Sequence, residues 1–431
     1  MCEEVALNGG YVWTYSPDLK DRRGERDAGT TRIWVQPPGT PTVGEAMLRA
    51  YMRTEEPAYL QGARAAAHSL VYGQQHRGGW GYAIDFAADA RHRYRGAQSA
   101  DADDLTMFDD DTTQAALRFL MRYSHAVEFA DAQVEKAARF GLRHVLDAQY
   151  ANGAWPQRCC ADPRPAISPA LKASYPEAWS RTWPSLEYWA YPTLNDAVVP
   201  DVITTLLLAH EIYGDASYLE AAKRGGDFLL LAQMPEPQPA WAQQYDADMH
   251  PAWARRFEPP AIVTRESLDA IDVLSTLYVA TGDKKYKEAI PPALAWLERS
   301  LLPDGLHARF HELKTNRPLY FNTQYEMVYT DDDLPTHYAF KRPQNLEVVR
   351  QRFGDLDRQR SKYIEAREND LPWFLKDAPS SGPDDVRQAV AALDEQGRWI
   401  TKNRISTSTF VRNVDLLSGY LKHTRSEPAR P

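Results

Sequence analysis

The sequence predicts an all-α protein, an (α/α) toroid or barrel of repeated helical hairpins with long loops forming a cleft at one end. Two observations predict this class. Leu, Ala, Val and Tyr recur at helical spacing in four segments, and no comparable set of segments alternates apolar and polar residues as strands do. A recurring helical hairpin buries its apolar face only by stacking on its neighbours, which favours a toroid.

The four repeats share one plan. Each has a helix, a short acidic or glycine-containing turn, a second helix with Tyr and Ala, and a loop often built on Gln and Trp. They cover residues 43–82, 112–157, 196–244 and 266–305. The loops before the second, third and fourth repeats contain FDDD, TLND and PAWARRFEPP. Because such loops cluster at one end of the helices, their reactive side chains are expected to converge on one mouth.

The remaining segments define the expected domain organisation. Residues 1–44 form an N-terminal extension, residues 45–340 the toroid, and residues 341–431 a charged C-terminal helical extension. Within the toroid, residues 158–192 lack periodicity and contain six prolines and several aromatic residues. Structureless stretches of this length inside compact domains are often functional, so we expect a long ordered loop over the mouth.

Composition excludes several classes of protein. With 43% hydrophobic and 25% charged residues the chain is typical of a soluble globular protein, and no apolar stretch approaches the roughly 18 residues needed to cross a bilayer. The N-terminus lacks the features of a signal peptide. A net charge of −9 argues against nucleic acid or an anionic membrane as partner, so a polyanionic ligand would need a cationic patch or a bound metal. A monomer is expected.

Cysteine and histidine give no metal pattern. The three cysteines, Cys2 and the adjacent Cys159 and Cys160, form neither a disulfide framework nor a CxxC zinc motif, and the eleven histidines show no HxxxH or HExxH pattern.

The stretch FDDDTTQAALRFL, at 108–120, has two interpretations. Asp and Thr at the head of a helix cap its free N–H groups, whereas adjacent carboxylates at a loop can hold a cation. TLND repeats the acidic entrance one repeat later. Asp111 or Thr112 is therefore expected to cap the helix, and Asp109, together with Asp110, to face the cleft.

Five motifs, in one order over roughly residues 45–340, resemble those of the pectate lyases of polysaccharide lyase family 10. FDDDTTQAALRFLMRY resembles the TIDNxAT helix start, and LDAQYANGAWPQ the AAQYPNGGWPQ loop. YPTLNDAVVPDVI resembles YITFNDDAM, PAWARRFEPP resembles PAWARAYEPP, and HARFHELKTNRPLYF resembles WARFYDLETNRPIF.

The resemblance implies a secreted or periplasmic enzyme that cleaves polygalacturonate, or a related uronic-acid-containing polysaccharide, by calcium-assisted β-elimination. Carried over by motif, the calcium ligands fall on Asp109 and Asp196, and Asp110 stands where the motif has Asn and adds a candidate ligand. The arginine base falls on Arg255 and a substrate contact on Arg309.

Two further candidate substrate contacts lie in the same loops. They are Asn195 and Trp155, the latter as a platform for a sugar ring or as packing. Alternatives for the arginines are ordinary ion pairs, with Glu258 or Glu266 in the case of Arg255.

The chemistry fits calcium better than it fits arginine as a base. A cation shared with the uronate carboxylate stabilises the negative charge that develops when the C5 proton leaves, and calcium accepts six to eight oxygen ligands. Neutralising a guanidinium at pH 9 costs roughly 5 to 6.5 kcal/mol. Arg255 as base therefore rests on the resemblance.

The resemblance weakens after NRPLYF. The family carries an arginine there that contacts a substrate carboxylate, and this chain has Thr323 and Gln324. Together with the aromatic segment 158–192, this predicts altered substrate choice, for example methylated or branched pectin.

Three alternatives remain open. An (α/α)-toroid glycoside hydrolase would use Asp109 and Asp196 as acid and base. A non-catalytic lyase homologue would bind glycans without cleaving them. A class II terpene cyclase-like protein would use the DADD stretch at 101–104. Elimination yields an unsaturated product that absorbs ultraviolet light, and hydrolysis does not.

Overall fold

The computed structural model describes residues 4–96, 105–159, 168, 170–368 and 382–426. The chain divides into two compact units. Unit 1 comprises Met1–Asp147 and Phe374–Pro431, and unit 2 comprises Ala148–Trp373.

Four helical hairpins follow one another along the chain, which confirms the predicted repeats. Short turns after the first helix of each pair reverse the chain. Two of these turns begin with a glycine in the left-handed conformation, Gly214 (φ 68°) and Gly282 (φ 76°), followed by an aspartate that caps the next helix. The helices are α1 Thr40–Thr54, α2 Pro57–Tyr72, α3 Thr112–Ala126, α4 Ala132–Ala148, α5 Val198–Tyr213, α6 Ala216–Ala232, α7 Thr264–Thr281, α8 Lys284–Glu288 and α9 Ile290–Arg299.

The helices bury one apolar stripe each. In α3, for example, Ala116, Leu117, Leu120 and Met121 are buried at the helical spacing that the sequence shows. In unit 2, α5 buries Val202, Ile203 and Leu206 in the same way. The cores of both units are therefore built from the stripes that define the repeats.

Unit 1 includes residues 382–426 of the C-terminal extension. This segment contains helices α12 Pro383–Ala391 and α13 Thr407–Ser426. The strand Arg404–Ser406 pairs antiparallel with Thr14–Tyr15, and Arg49 of α1 donates two hydrogen bonds to the carboxylate of Asp415, at 2.9 and 2.6 Å. Residues 382–426 thus belong to the same core as the first repeat.

Unit 2 adds a four-stranded antiparallel sheet that the sequence pattern did not reveal. Its strands are Ala261–Val263, Phe310–Glu312, Pro318–Phe321 and Met327–Val328. Strands of two to four residues are too short for a visible alternation. Helices α10 Leu346–Gly354 and α11 Leu356–Glu368 follow the sheet. The sheet matters for function because it fixes the segment that carries Arg309.

Three further observations bear on what the sequence predicted. Cys159 is disulfide-bonded, a single bond that the sequence, which predicted no disulfide framework, did not indicate. The DADD stretch at 101–104 lies outside the described residues. No helix within the described ranges is both long and apolar enough to span a membrane.

Candidate functional site

The first acidic turn, Asp109–Asp111, precedes α3 in unit 1. Asp110 and Asp111 adopt left-handed backbone conformations, with φ of 49° and 59°. The carboxylate of Asp109 is buried and accepts a hydrogen bond from the Tyr82 hydroxyl, and that of Asp110 accepts one from Gln36 Nε2 at 2.7 Å. A hydroxyl and an amide therefore each donate to one of these carboxylates.

The predicted helix cap is wrong for Asp111 and Thr112. Asp111 occupies the N-cap position of α3, but its side chain bonds no backbone N–H there and forms an ion pair with Arg118. The Thr112 hydroxyl donates to the carbonyl of Asp109 at 2.8 Å. A left-handed N-cap residue points its side chain away from the first helical turn, which sequence alone does not indicate.

The second acidic turn, Asn195–Ala197, precedes α5 in unit 2 and has the same backbone. Asp196 and Ala197 have φ of 48° and 58°. The buried Asn195 amide donates to Asp196 Oδ2 at 2.6 Å and accepts from Gln243 Nε2 at 2.6 Å. Asn195 therefore orients the exposed carboxylate of Asp196 and has both ends of its amide engaged.

Arg255 lies in a tight turn that follows the second acidic turn by about sixty residues. Its Nε and Nη2 donate to the two carboxylate oxygens of Glu258, at 2.7 and 2.5 Å, and its backbone N–H donates to the same carboxylate at 3.1 Å. Burial lowers the pKa of Arg255, but the hydrogen bonds and charge of Glu258 outweigh it and hold that pKa well above its ordinary value. The ion pair considered from sequence is thus present.

Arg309 forms the second guanidinium of unit 2. Its backbone bonds to Phe340 and to the start of α7, where Thr264 N–H donates to the Arg309 carbonyl at 3.0 Å. Its Nη2 lies 3.2 Å from Glu266 Oε1, and its guanidinium carbon lies 4.5 Å from the centre of the Tyr338 ring. The side chain is only 16% exposed, so this charge is held in a partly dry environment.

Glu266 is a buried carboxyl with an unusual pKa. It is 1% exposed, and its Oε2 has no hydrogen-bond partner among the described residues. Burial raises the pKa of Glu266 to about 7, more than the neighbouring charge of Arg309 lowers it.

The side chain of Gln243 joins these groups. Its Nε2 lies 2.6 Å from Asn195 Oδ1 and 3.3 Å from an oxygen of each buried carboxyl, Glu258 and Glu266. Unit 2 therefore brings Asn195, Asp196, Arg255 and Arg309 together through one buried network.

The sequence analysis gave no role in the site to the residues that hold the two arginines and Asn195. Glu258 stands inside the PAWARRFEPP motif and could have been chosen from it. Gln243 and Tyr338, whose hydroxyl donates to Glu258 at 2.9 Å, come from loops in which no pattern singles out one residue.

Trp155, a candidate sugar platform from the sequence, is a packing residue in the structure. Its indole is fully buried, and its ring packs against α6, where Gly225 leaves room for it. A sugar platform must expose the face of its ring, so Trp155 stabilises the core of unit 2.

Two sets of side chains offer atoms that could bind a metal ion. The aspartates of the two acidic turns offer hard carboxylate oxygens, the donor type that calcium prefers. In unit 2, Asp246, Asp248 and His250 also have ligand atoms within 4.8 Å of one another. Asp246 Oδ1 already accepts the backbone N–H groups of Asp248 and His250, which accounts for this cluster as a loop motif.

The helical hairpins define an (α/α) toroid, and a family match over more than half of the chain makes it a polysaccharide lyase. The family model for pectic acid lyase matches residues 74–306. The chain therefore belongs to the pectic acid lyase family, and the predicted fold class is confirmed.

Solved structures agree with this fold. The family 10 polysaccharide lyase from Cellvibrio cellulosa is 19% identical, with a TM-score of 0.50 over 72% of this chain and 97% of that one. A mutant of that lyase in complex with trigalacturonic acid is 18% identical, with a TM-score of 0.50 over 72% and 96% of the two chains. A comparison with curated protein sequences gives no match.

Proposed function

We propose that this lyase cleaves a polysaccharide containing 4-linked uronic acid, with polygalacturonate as the first substrate to test, by calcium-assisted β-elimination. The observation that carries the proposal is the pair of guanidinium groups, Arg255 and Arg309, held beside Asp196 in a chain whose net charge is −9. A local cationic site of this kind attracts and orients the carboxylates of an anionic polymer.

The reaction needs three events at the sugar. A base removes the C5 proton, the C4–O4 bond breaks, and its electron pair leaves with the O4 oxygen, which a proton from water neutralises. The pair from the C5–H bond forms the C4=C5 double bond. Arg309, donating to the uronate carboxylate, stabilises the charge that spreads onto that group when C5 loses its proton.

Arg255 is the proposed base. It must first lose a proton, and the pairing with Glu258 makes that loss harder by raising its pKa. The side chain is nonetheless 43% exposed, so a Nη group can reach a bound sugar while Glu258 fixes the guanidinium plane. Activity is consequently expected to rise with pH through the alkaline range.

Calcium is the proposed cofactor, with ligands from Asp109, Asp110 and Asp196. Bound there, it would neutralise the uronate carboxylate and so acidify the C5 proton. The donor chemistry supports this: all three are carboxylates, and hydrogen bonds from Tyr82 and Asn195 fix the orientation of Asp109 and Asp196.

The role of Asn195 changes in this proposal. Both ends of its amide are engaged inside the protein, so we assign it to positioning Asp196 rather than to contact with the sugar.

Arg255→Ala tests the proposal. Wild type is expected to form ultraviolet-absorbing unsaturated product from polygalacturonate, to stop when calcium is chelated, and to lose at least about 100-fold in kcat on removal of the base. Arg358→Ala, an exposed arginine of α11 that pairs with Asp355, is the matched control and should retain activity. Full activity in Arg255→Ala would remove Arg255 as base.

A polymeric substrate also bears on location. Long polysaccharides do not cross membranes unaided, so we propose that the enzyme acts in a secreted or periplasmic setting. Fractionation of the producing cells, with the lyase activity followed in each fraction, tests this.

A further inference from the structure

A pocket of about 560 Å³ lies beside the turn that carries Arg255. Half of its lining residues are aromatic: Trp183, Trp253, Phe321, Tyr325 and Tyr329. This volume is within the range of about 300–1,000 Å³ that is usual for ligand sites. All of these residues belong to unit 2.

The indole rings of the pocket are fixed in place. Trp183 Nε1 donates to the carbonyl of Ala254 at 2.8 Å, and Trp253 Nε1 donates to the carbonyl of Ser180 at 2.9 Å. These reciprocal bonds join the segment around residue 181 to the residues just before Arg255. A wall held this way is preorganised, which lowers the entropy cost of binding a ligand.

The two arginines that line the pocket differ in their charge balance. Arg181 forms an ion pair with the buried Glu312, so its charge is compensated. Arg256 donates one hydrogen bond to the carbonyl of Gln324 at 3.1 Å and lies 5.1 Å from the centre of the Tyr325 ring. Arg256 forms no ion pair with any residue in the described ranges, so it presents an uncompensated guanidinium to the pocket.

The pocket borders the turn that carries Arg255. Phe257 has the Tyr325 ring 5.7 Å away and the guanidinium carbon of Arg255 5.2 Å away. One aromatic ring, that of Phe257, therefore contacts both the proposed base and Tyr325 of the pocket wall. Arg256 itself stands where the motif PAWARAYEPP has alanine, so this cation is not part of the family resemblance.

We propose that this pocket binds one uronosyl residue of the substrate adjacent to the residue at Arg255. The rings of Trp183, Tyr325 and Tyr329, which are not buried, pack on the sugar ring, and Arg256 binds the free carboxylate of that residue. The inference rests on the proposed lyase function and deepens it: the enzyme prefers a free acid over a methyl ester at this position. Glu326 also lines the pocket, and its carboxylate accepts a hydrogen bond from Asn322 Nδ2 at 2.9 Å. Arg256 is the lining cation that no carboxylate of the described residues compensates, and it matches the carboxylate of a uronosyl ring.

The kinetic test uses Arg256→Ala and Arg256→Lys. Because Arg256 binds substrate away from the reacting atoms, Arg256→Ala should raise KM for polygalacturonate roughly tenfold and leave kcat within about twofold. Arg256→Lys should recover part of the loss, since it restores the charge without the planar fork. Arg358→Ala is the control. Unchanged KM in an Arg256→Ala enzyme that still forms product would overturn the inference and leave the lyase function standing.

The binding test separates the two proposals. The Kd of trigalacturonic acid and of its methyl ester is measured by calorimetry for wild type and Arg256→Ala, both with Arg255→Ala to prevent turnover. The ratio of acid to ester affinity should fall roughly tenfold without Arg256. If wild type forms no product from any uronate polymer but this ratio still falls, the lyase function fails and the subsite stands. An unchanged ratio contradicts the subsite.

Discussion

The two acidic turns have one backbone and two chemical environments. In each, a buried residue is followed by two left-handed residues and then by a helix, so Asp109 corresponds to Asn195 and Asp110 to Asp196. In the first turn Tyr82 donates to Asp109, Gln36 donates to Asp110, and Asp111 pairs with Arg118. The second lies among the charges of Arg255 and Arg309.

The two environments suit different proposed tasks, metal binding alone at the first turn and metal binding beside the sugar contacts at the second. The sequence motifs do not distinguish these tasks. The shared backbone presents a carboxylate at the middle position of each turn. The hydroxyl and amide donors to Asp109 and Asp110 suit proposed metal ligands. The second turn places the proposed ligand Asp196 near Arg255 and Arg309, the arginines proposed to deprotonate and bind the sugar. By this correspondence Asp110, rather than Asp109, is the counterpart of Asp196.

The largest expected loss of activity follows from changing the middle residue of each acidic turn. Asp110→Asn and Asp196→Asn should each lower activity at least about 100-fold at low calcium, because loss of a metal ligand removes several kcal/mol of charge stabilisation. Titration of activity against calcium concentration measures this, with excess calcium recovering part of the rate. Equal calcium curves for wild type and both variants would remove the pair from the metal site.

A smaller effect is expected at the first position. Asp109→Asn makes the first turn resemble the second, where asparagine stands, and keeps the side-chain shape. We expect at most about a tenfold increase in the calcium requirement, because the Tyr82 hydroxyl engages one oxygen of Asp109 and makes it the weaker of the proposed ligands. A loss as large as that of Asp110→Asn would show that Asp109 binds the metal as strongly as Asp110 and that the correspondence fails.

The charged setting of the second turn predicts a pH effect on stability. The pKa of Glu266 is about 7 when folded, against an ordinary value of 4.5, with burial as the main cause. Between those values the folded state alone holds the proton, so this contribution is complete below pH 4.5 and is lost as pH rises through 7. Wild type should lose roughly 3 kcal/mol of unfolding free energy relative to Glu266→Gln across this window.

The measurement is urea unfolding with a chelator at several pH values. In Asp196→Asn, the plot of unfolding free energy against pH should lie between those of wild type and Glu266→Gln, because Asp196 is among the charges that raise the pKa of Glu266. Parallel curves for wild type and Glu266→Gln would mean that Glu266 is ionised in the folded protein at neutral pH.

The smallest effect concerns the third position. Ala197 has φ of 58°, a conformation that costs a residue with a side chain about 1 kcal/mol, so Ala197→Gly should stabilise by roughly 0.5–1 kcal/mol. Asp111→Gly should gain less, because it also removes the ion pair with Arg118. Thermal unfolding distinguishes the two, and equal gains would contradict the contribution of that ion pair.

Much of the fold could be predicted from local pattern. Helical periodicity gave the four hairpins, and the ordered motifs gave the family, because both signals lie in consecutive residues. The short strands of unit 2, and the network that joins Arg255 to Glu258 and Arg309 to Glu266, were not predictable as a site. They depend on which loops meet, and nothing local in Gln243 or Glu266 differs from ordinary polar residues.

The sequence by itself determined the repeated helices, the pectic acid lyase motifs and the residue types offered to substrate and metal, since spacing along the chain encodes them. Tertiary structure decided how those residues are used. It buried Trp155, turned Asp111 away from the helix end, tied Arg255 to Glu258 and brought Arg256 to an aromatic pocket. Burial and charge pairing arise only when distant segments pack, so no stretch of sequence contains them.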